Sequence, residues 1–323
     1  MDPPTNQRDE DVDSLWFKFG RDKVPPSPQA AIPIAKRTEL YYPMKSATRG
    51  RCLVLNFKDF TIDQPVRHGS EYDVNALEKT FKALGFEFEV KHNLTRKNTI
   101  DYLQNASTFD HEKYDCFVLC ILSHGDNGII YCNDGFIKID EIVNLFTSNR
   151  CPTLTGKPKV FFIQACQGKK IPIISIFQHT FICSILGESF DSGTLVHDSV
   201  ETKSDSNSFL IPTYSDLLIF YSTYPGFFAW RNAFYGSWFV QDLCATLKEH
   251  AEEHDLVTMC TLTSQKIAFG RQSNVPNDKE KHMKKQMPYL VSTLTRLIRF
   301  NQSVKMDEPD ADETVSRAMK LKS

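Results

Sequence analysis

Two apolar runs, each stopping at a chemically reactive residue, constrain this chain more than any other feature. Asp115 to Leu122 ends at Ser123-His124-Gly125, and Lys159 to Ile163 ends at Gln164-Ala165-Cys166-Gln167-Gly168. Unbroken apolar runs, as opposed to alternating ones, mark strands covered on both faces, the environment of a parallel sheet. In open α/β sheets, ligands gather outside the carboxyl ends of the strands. Two neighbouring strands of this kind deliver a thiol and an imidazole to one rim, the ingredients of a cysteine nucleophile with a histidine partner.

The surrounding sequence alternates strand and helix signals. Arg51 to Phe57 reads as a first strand. Residues 72–84 place Val74, Leu77, Phe81 and Leu84 on one helical stripe, with Gly85 as the stop. Phe86, Phe88 and Val90 alternate with Glu87 and Glu89, the pattern of a half-exposed strand. A helix near 96–107 has Thr95 as its N-cap, and Asp140 caps another that carries Ile142, Val143, Leu145 and Phe146. Leu217 to Ser222 is a further strand. Ser237 precedes a helix with Phe239, Val240, Leu243, Cys244 and Leu247 on one face, and a last strand is expected near 293–299. The alternation predicts an α/β fold, with about six mostly parallel strands between two helical layers. One catalytic domain spans residues 39–300. It is preceded by a polar, Pro-rich leader (1–38) read as disordered, and followed by a polar tail (301–323). Residues 191–208, rich in Ser and Asp, read as an exposed linker.

Composition narrows the function classes. Apolar content of 41% with 24% charged residues suits an ordinary globular protein. A formal charge of −2 gives no reason to expect nucleic acid or anionic membrane as the main partner, and Lys279 to Lys285 reads as a solvated basic loop. The nine cysteines lack paired spacing, so no metal and no cofactor is expected, and Cys116 and Cys120 read as core residues. The chain opens on acidic and proline-rich residues, without a secretory pattern. With scattered thiols, that makes a reducing, cytoplasmic location the expectation.

Gln164-Ala165-Cys166-Gln167-Gly168 resembles the caspase signature, which has a histidine several tens of residues upstream; here His124 precedes Cys166 by 42 residues. The similarity runs from about Tyr41 to Arg299, interrupted at 169–190. It includes Arg67-His68-Gly69-Ser70, Ser123-His124-Gly125, Tyr221-Ser222-Thr223, Trp230-Arg231-Asn232 and Gly236-Ser237-Trp238. The short leader resembles an executioner caspase. The resemblance implies the caspase-like three-layer sandwich and an Asp-specific cysteine endopeptidase made as a zymogen and acting in apoptosis. Cys166 is the nucleophile, whose pKa a nearby positive imidazole lowers, and His124 is the general acid–base. The N–H groups of Gly125 and Cys166 form the oxyanion hole. Arg67, Gln164 and Arg231 hold the aspartate before the cut bond, arginine's planar fork fitting a carboxylate. Ser123 assists through its hydroxyl, Trp230 and Phe228 line the next pocket, Asn232 reaches along the peptide, and Trp238 either walls the outermost pocket or packs in the core.

Asp-Ser pairs in the linker suit a protease that matures by cutting its own kind. Asp198 ranks first as the cleavage site and Asp205 second, with Asp191 also in the linker and Asp13 in the leader. Cleavage there divides the domain into a large-subunit part (about 39–198) and a small-subunit part (about 206–300), joined by a linker of about 188–208. The resemblance further implies an upstream initiator caspase, inhibitor-of-apoptosis proteins and a homodimer of large/small heterodimers as partners.

The likeness fails at two places. Lys169-Lys170 leads into a 17-residue uncharged run, Ile171 to Gly187, where the family has a short polar loop. The run is too short and too interrupted for a spanning helix. It reads as an autoinhibitory flap, a partner-binding element or the product of an alternative or mis-assigned exon. A catalytically impaired decoy of the same fold, binding caspases or their inhibitors, is therefore the alternative reading. A His-Gly/Cys peptidase with basic-residue preference is a third, and Arg67, Gln164 and Arg231 argue against it. Residues 271–283 also diverge, with Arg271, Asn274 and Lys281 where the family has aromatic residues.

Overall fold

The structure, a computed structural model, describes residues 32–35, 38–168, 191, 193–198 and 208–300. In chain order the strands are β1 (Ile32–Ile34), β2 (Gly50–Asn56), β3 (Phe86–His92), β4 (Cys116–Leu122), β5 (Gly125–Asp126), β6 (Ile129–Cys132), β7 (Gly135–Lys138), β8 (Lys159–Gln164), β9 (Thr194–Asp198), β10 (Ser208–Ile211), β11 (Leu217–Tyr221), β12 (Arg231–Asn232), β13 (Gly236–Ser237) and β14 (Tyr289–Ser292). The α-helices are α1 (Ser70–Ala83), α2 (Arg96–Ser107), α3 (Ile139–Asn144), α4 (Trp238–His250) and α5 (Leu256–Gly270).

Six strands form the central sheet in the order β14-β11-β8-β4-β2-β3. All pairs are parallel except β11 with β14. Every residue of β4 and β8 is buried, as expected of the two apolar runs. Their side chains alternate between two cores. On one face Val118, Cys120, Val160 and Phe162 pack with Val74, Leu77 and Phe81 of α1, Phe239, Leu243 and Leu247 of α4, and Met259 and Ile267 of α5. On the other, Phe117, Leu119, Ile121, Phe161 and Ile163 pack with Leu103 of α2 and Ile142 and Val143 of α3. Each such side chain contributes about 1.5–3 kcal/mol by leaving water. This is the three-layer α/β arrangement expected from the sequence.

Local chemistry sets the helix starts. Thr95 accepts from the Asn98 N–H, Ser237 from that of Val240, and Asp255 from those of Val257 and Thr258. Gly69 precedes α1 at φ 85°, and a Cβ there would lie 2.5 Å from the Asn232 carbonyl oxygen. A glycine is thus required where the β12–β13 hairpin closes on the start of α1.

Several expectations are corrected. Asp140 lies in the first turn of α3; the N-cap is Lys138. The last strand is β14, earlier than 293–299, because the backbone turns where Ser292 Oγ accepts from the Leu294 N–H. The leader's end and the linker are not wholly irregular. Ile32–Ile34 pairs in parallel with β9, which pairs antiparallel with β10, and Val196 and Ile34 are buried. The β5–β6–β7 meander and α5 had no assignment from the sequence. The run 171–187, Asp13, Asp205 and the tail 301–323 lie outside the described residues.

Candidate active site

Parallel pairing in register sets the site. Leu122 of β4 stands opposite Gln164 of β8, and the Ser123 N–H donates to the Gln164 carbonyl at 3.0 Å. His124 and Cys166 therefore leave adjacent strands at the same level. Gly125 lies against the Cys166 backbone: a Cβ on it would meet the Cys166 carbonyl oxygen at 2.7 Å and the Ile129 carbonyl oxygen at 2.8 Å. On the other side, β11 ends level with β8, and the Ser222 N–H donates to the Ile163 carbonyl at 2.9 Å.

His124 is half-buried, tilted against Phe60 with ring centroids 5.3 Å apart. Its Nε2 lies 2.8 Å from the Pro65 carbonyl oxygen. A carbonyl only accepts, so Nε2 carries the proton and Nδ1 the lone pair. Burial, followed by the fields of Arg67 and Arg231, lowers the imidazole's pKa to about 4 against the Pro65 contact, which raises it. Cys166 is partly buried, and its Sγ accepts from the Ala229 N–H at 3.5 Å. Burial raises its pKa, while that N–H, Arg67 and Arg231 pull it down. The positive charge acting on the sulfur comes from the two guanidiniums, where the sequence led to the expectation of a positive imidazole.

Arg67 is fully buried. Its Nη1 donates to the Phe57 carbonyl at 2.8 Å, and its Nε and Nη2 have no partner among the described residues. Burial, then repulsion from Arg231, lowers its pKa to about 9, with Asp73 and Cys166 opposing. Arg231 is partly buried, and its Nε donates to the His68 carbonyl at 2.9 Å. Burial lowers its pKa too. Gln164 is buried, and its Oε1 has no partner among the described residues. The site therefore concentrates buried positive charge and unsatisfied polar atoms within the field of the sulfur, and a carboxylate ligand would compensate them.

The remaining expected residues divide. Trp230 and Trp238 stack, with centroids 5.7 Å apart, and the Trp238 N–H donates to the Trp230 carbonyl. Phe228 is 56% exposed. Asn232 Oδ1 accepts from the Phe234 N–H. Ser123 Oγ donates to the Tyr131 carbonyl at 2.5 Å, so its proton is directed at the hairpin strand β6. The carboxylate of Asp191 accepts from the Gly193 N–H and from both the N–H and Oγ1 of Thr213. Asp198 ends β9, its backbone paired with β1.

Three contributors escaped the sequence reading. The Pro65 carbonyl is a backbone group that no side-chain motif marks. Gln286 is buried, accepts from the Trp230 N–H at 2.7 Å and donates to the Ser222 carbonyl at 2.7 Å, linking the segment that leads into β14 and the end of β11 to the aromatic wall. Asp73 is buried, accepts from the Ser237 N–H and from Gln241 Nε2, and has its Oδ2 unpaired among the described residues. Burial raises its pKa. Asp73 interrupts the apolar stripe of α1 next to Val74, the signal that could have found it.

Comparison with known proteins gives consistent results. The family model described as Caspase domain matches residues 49–299. The chain is 36% identical to Caspase-1 of Spodoptera frugiperda over 278 residues, covering 86% of each protein. It is 37% identical to Caspase drICE of Drosophila melanogaster over 271 residues, covering 83% of this chain and 74% of the relative. It is 34% identical to Caspase-3 of Bos taurus over 294 residues, covering 90% and 98%. The crystal structure of Caspase-1 from Spodoptera frugiperda superposes with a TM-score of 0.71 at 35% identity, covering 86% of this chain and 99% of that one.

Proposed function

From a chain that belongs to the caspase family of cysteine-type endopeptidases, we propose an executioner enzyme that cuts protein substrates after aspartate, with Cys166 and His124 as its reacting pair. The observation that carries this reading is Arg67, a fully buried guanidinium with two nitrogens unpaired among the described residues, acting with Arg231 on the sulfur's field. An acidic side chain supplies what those nitrogens lack.

His124 Nδ1 takes the proton of the Cys166 thiol as the peptide binds. The sulfur attacks the carbonyl carbon that follows the aspartate α-carbon, and the oxyanion accepts from the N–H groups of Gly125 and Cys166. The tetrahedral adduct collapses as the Nδ1 proton passes to the leaving amine, giving a thioester. Water, deprotonated by the same nitrogen, then releases the acid and the thiol. Gln164 shares the pocket for the aspartate side chain, while Trp230, Phe228, Asn232 and Trp238 contact the preceding residues of the peptide. Ser123 acts as a positioning residue through Tyr131.

The linker aspartates serve as zymogen-processing sites. Asp198 lies in a paired strand and the Asp191 carboxylate is held by Thr213, so both open before a protease grips them. An upstream initiator caspase, inhibitor-of-apoptosis proteins and a homodimer of processed heterodimers are the proposed partners, and the cytoplasm the proposed location. No helix of the described residues is long and apolar enough to cross a membrane.

Recombinant protein is incubated with acetylated fluorogenic tetrapeptides ending in Asp or Lys. Cleavage after Asp alone, lost on Cys166→Ala, is expected. Turnover of the Lys-ending peptide refutes the specificity. No turnover after linker cleavage by an added caspase favours the decoy reading.

A further inference from the structure

Away from the candidate active site, the exposed end of α4 gathers two imidazoles and a carboxylate. His250, Glu253 and His254 each offer a ligand atom, and these atoms all lie within 4.8 Å of one another. The cause is local. Helical hydrogen bonding continues past α4: the His254 N–H donates to the His250 carbonyl at 2.9 Å and the Glu253 N–H to the same oxygen at 3.1 Å. Residues four apart on such a turn share a face, and the two rings lie 5.6 Å apart, tilted by 42°. The turn is braced from outside the cluster. Arg299 Nη2 donates to the Glu253 carbonyl at 3.1 Å, and Asp255 caps α5 immediately afterwards.

We propose that His250, Glu253 and His254 form a binding site for a divalent transition ion of the zinc class. Two imidazoles and one carboxylate suit zinc, which leaves a fourth position for water or a further ligand. Ligand atoms around a tetrahedral ion stand about 3.4 Å apart at ordinary zinc–ligand distances. The ligand atoms lie within 4.8 Å of one another on exposed or half-exposed side chains, so binding draws them together by side-chain torsion. Glu249 is placed to become an outer support: its carboxylate, held by Lys266 at 2.6 Å, lies 3.7 Å from His250 Nε2, beyond hydrogen-bond reach until the ring turns. An outer carboxylate of this kind orients a ligating ring. Hard cations such as magnesium and calcium, which prefer all-oxygen shells, are excluded by the two nitrogens.

The site lies about 18 Å along α4 from Trp238, at 1.5 Å per residue. A bound ion ties the end of α4 to the turn that enters α5, so its readout is occupancy and thermal stability, independent of peptide turnover.

The test uses the full chain carrying Cys166→Ala, which removes the reactive thiol as a competing ligand and prevents self-cleavage. After chelator treatment, Zn²⁺ is titrated by calorimetry and Co²⁺ by visible absorption. One ion per chain, a cobalt spectrum of low coordination number and a raised melting temperature are expected. His250→Gln and His254→Gln should each weaken binding by more than about tenfold. Melting of the metal-free variants confirms that they fold, and the cobalt spectrum of the protein with both histidines present stands independently of them. No uptake of either ion, or uptake undiminished in both histidine variants, overturns the proposal.

Discussion

Arg67→Met should stabilise the fold while removing activity. The guanidinium is fully buried, with Nε and Nη2 unpaired among the described residues and Arg231 repelling it. Each unsatisfied buried donor costs about 1–3 kcal/mol. Against this stands one charged hydrogen bond to the Phe57 carbonyl, worth about 1.5–3 kcal/mol. Methionine fills much of the same space and leaves no charge behind, and apolar replacement of buried charge is often stabilising. The balance favours the variant by about 1–2 kcal/mol, a rise in melting temperature of roughly 2–5 °C for a domain of this size. Activity moves the other way. Removing one partner of a buried charge pair costs about 3–5 kcal/mol, so kcat/KM for an Asp-ending peptide should fall by two to three and a half orders of magnitude. Melting is measured in the Cys166→Ala background and kinetics in the otherwise unmodified chain. A variant destabilised by more than about 2 kcal/mol would refute the reasoning, because Arg67 would then be holding the fold instead of waiting for a carboxylate.

Two other outcomes follow from the same region. Asp73→Asn keeps the acceptor for the Ser237 N–H and Gln241 but removes the charge that opposes the buried guanidiniums. KM for Asp-ending peptides should change severalfold with kcat nearly constant, whereas a purely structural role would shift the melting temperature and leave KM alone. His124 titrates at about 4 in the fold against an ordinary 6.5, so between those values the unfolded chain binds more protons. Its effect on stability is therefore absent above pH 6.5 and turns unfavourable as pH falls through the window. Denaturation at pH 7.5 and pH 5 should show a smaller acid loss for His124→Gln than for the parent, and equal losses would contradict the burial argument.

The rim of the sheet was legible because burial on both faces leaves a one-dimensional trace. Every position of β4 and β8 had to be compatible with a dry interior, so both runs and their reactive ends stood out. Helix starts were legible where a side chain itself makes the cap, as at Thr95 and Ser237. They were misread where backbone geometry sets the cap, as at Lys138 beside Asp140. Edge elements were the weakest: β14 is half-exposed and pairs on one side only, so its sequence carries little pattern.

The order of the residues alone determined the candidate groups: a thiol and an imidazole at the ends of two buried strands, and two arginines far apart along the chain. Only folding decided their states. Neither the Pro65 carbonyl that sets the imidazole's tautomer nor the dry setting of Arg67 has a sequence signal, because desolvation and charge–charge coupling depend on distances between segments, and those exist only once the layers have packed.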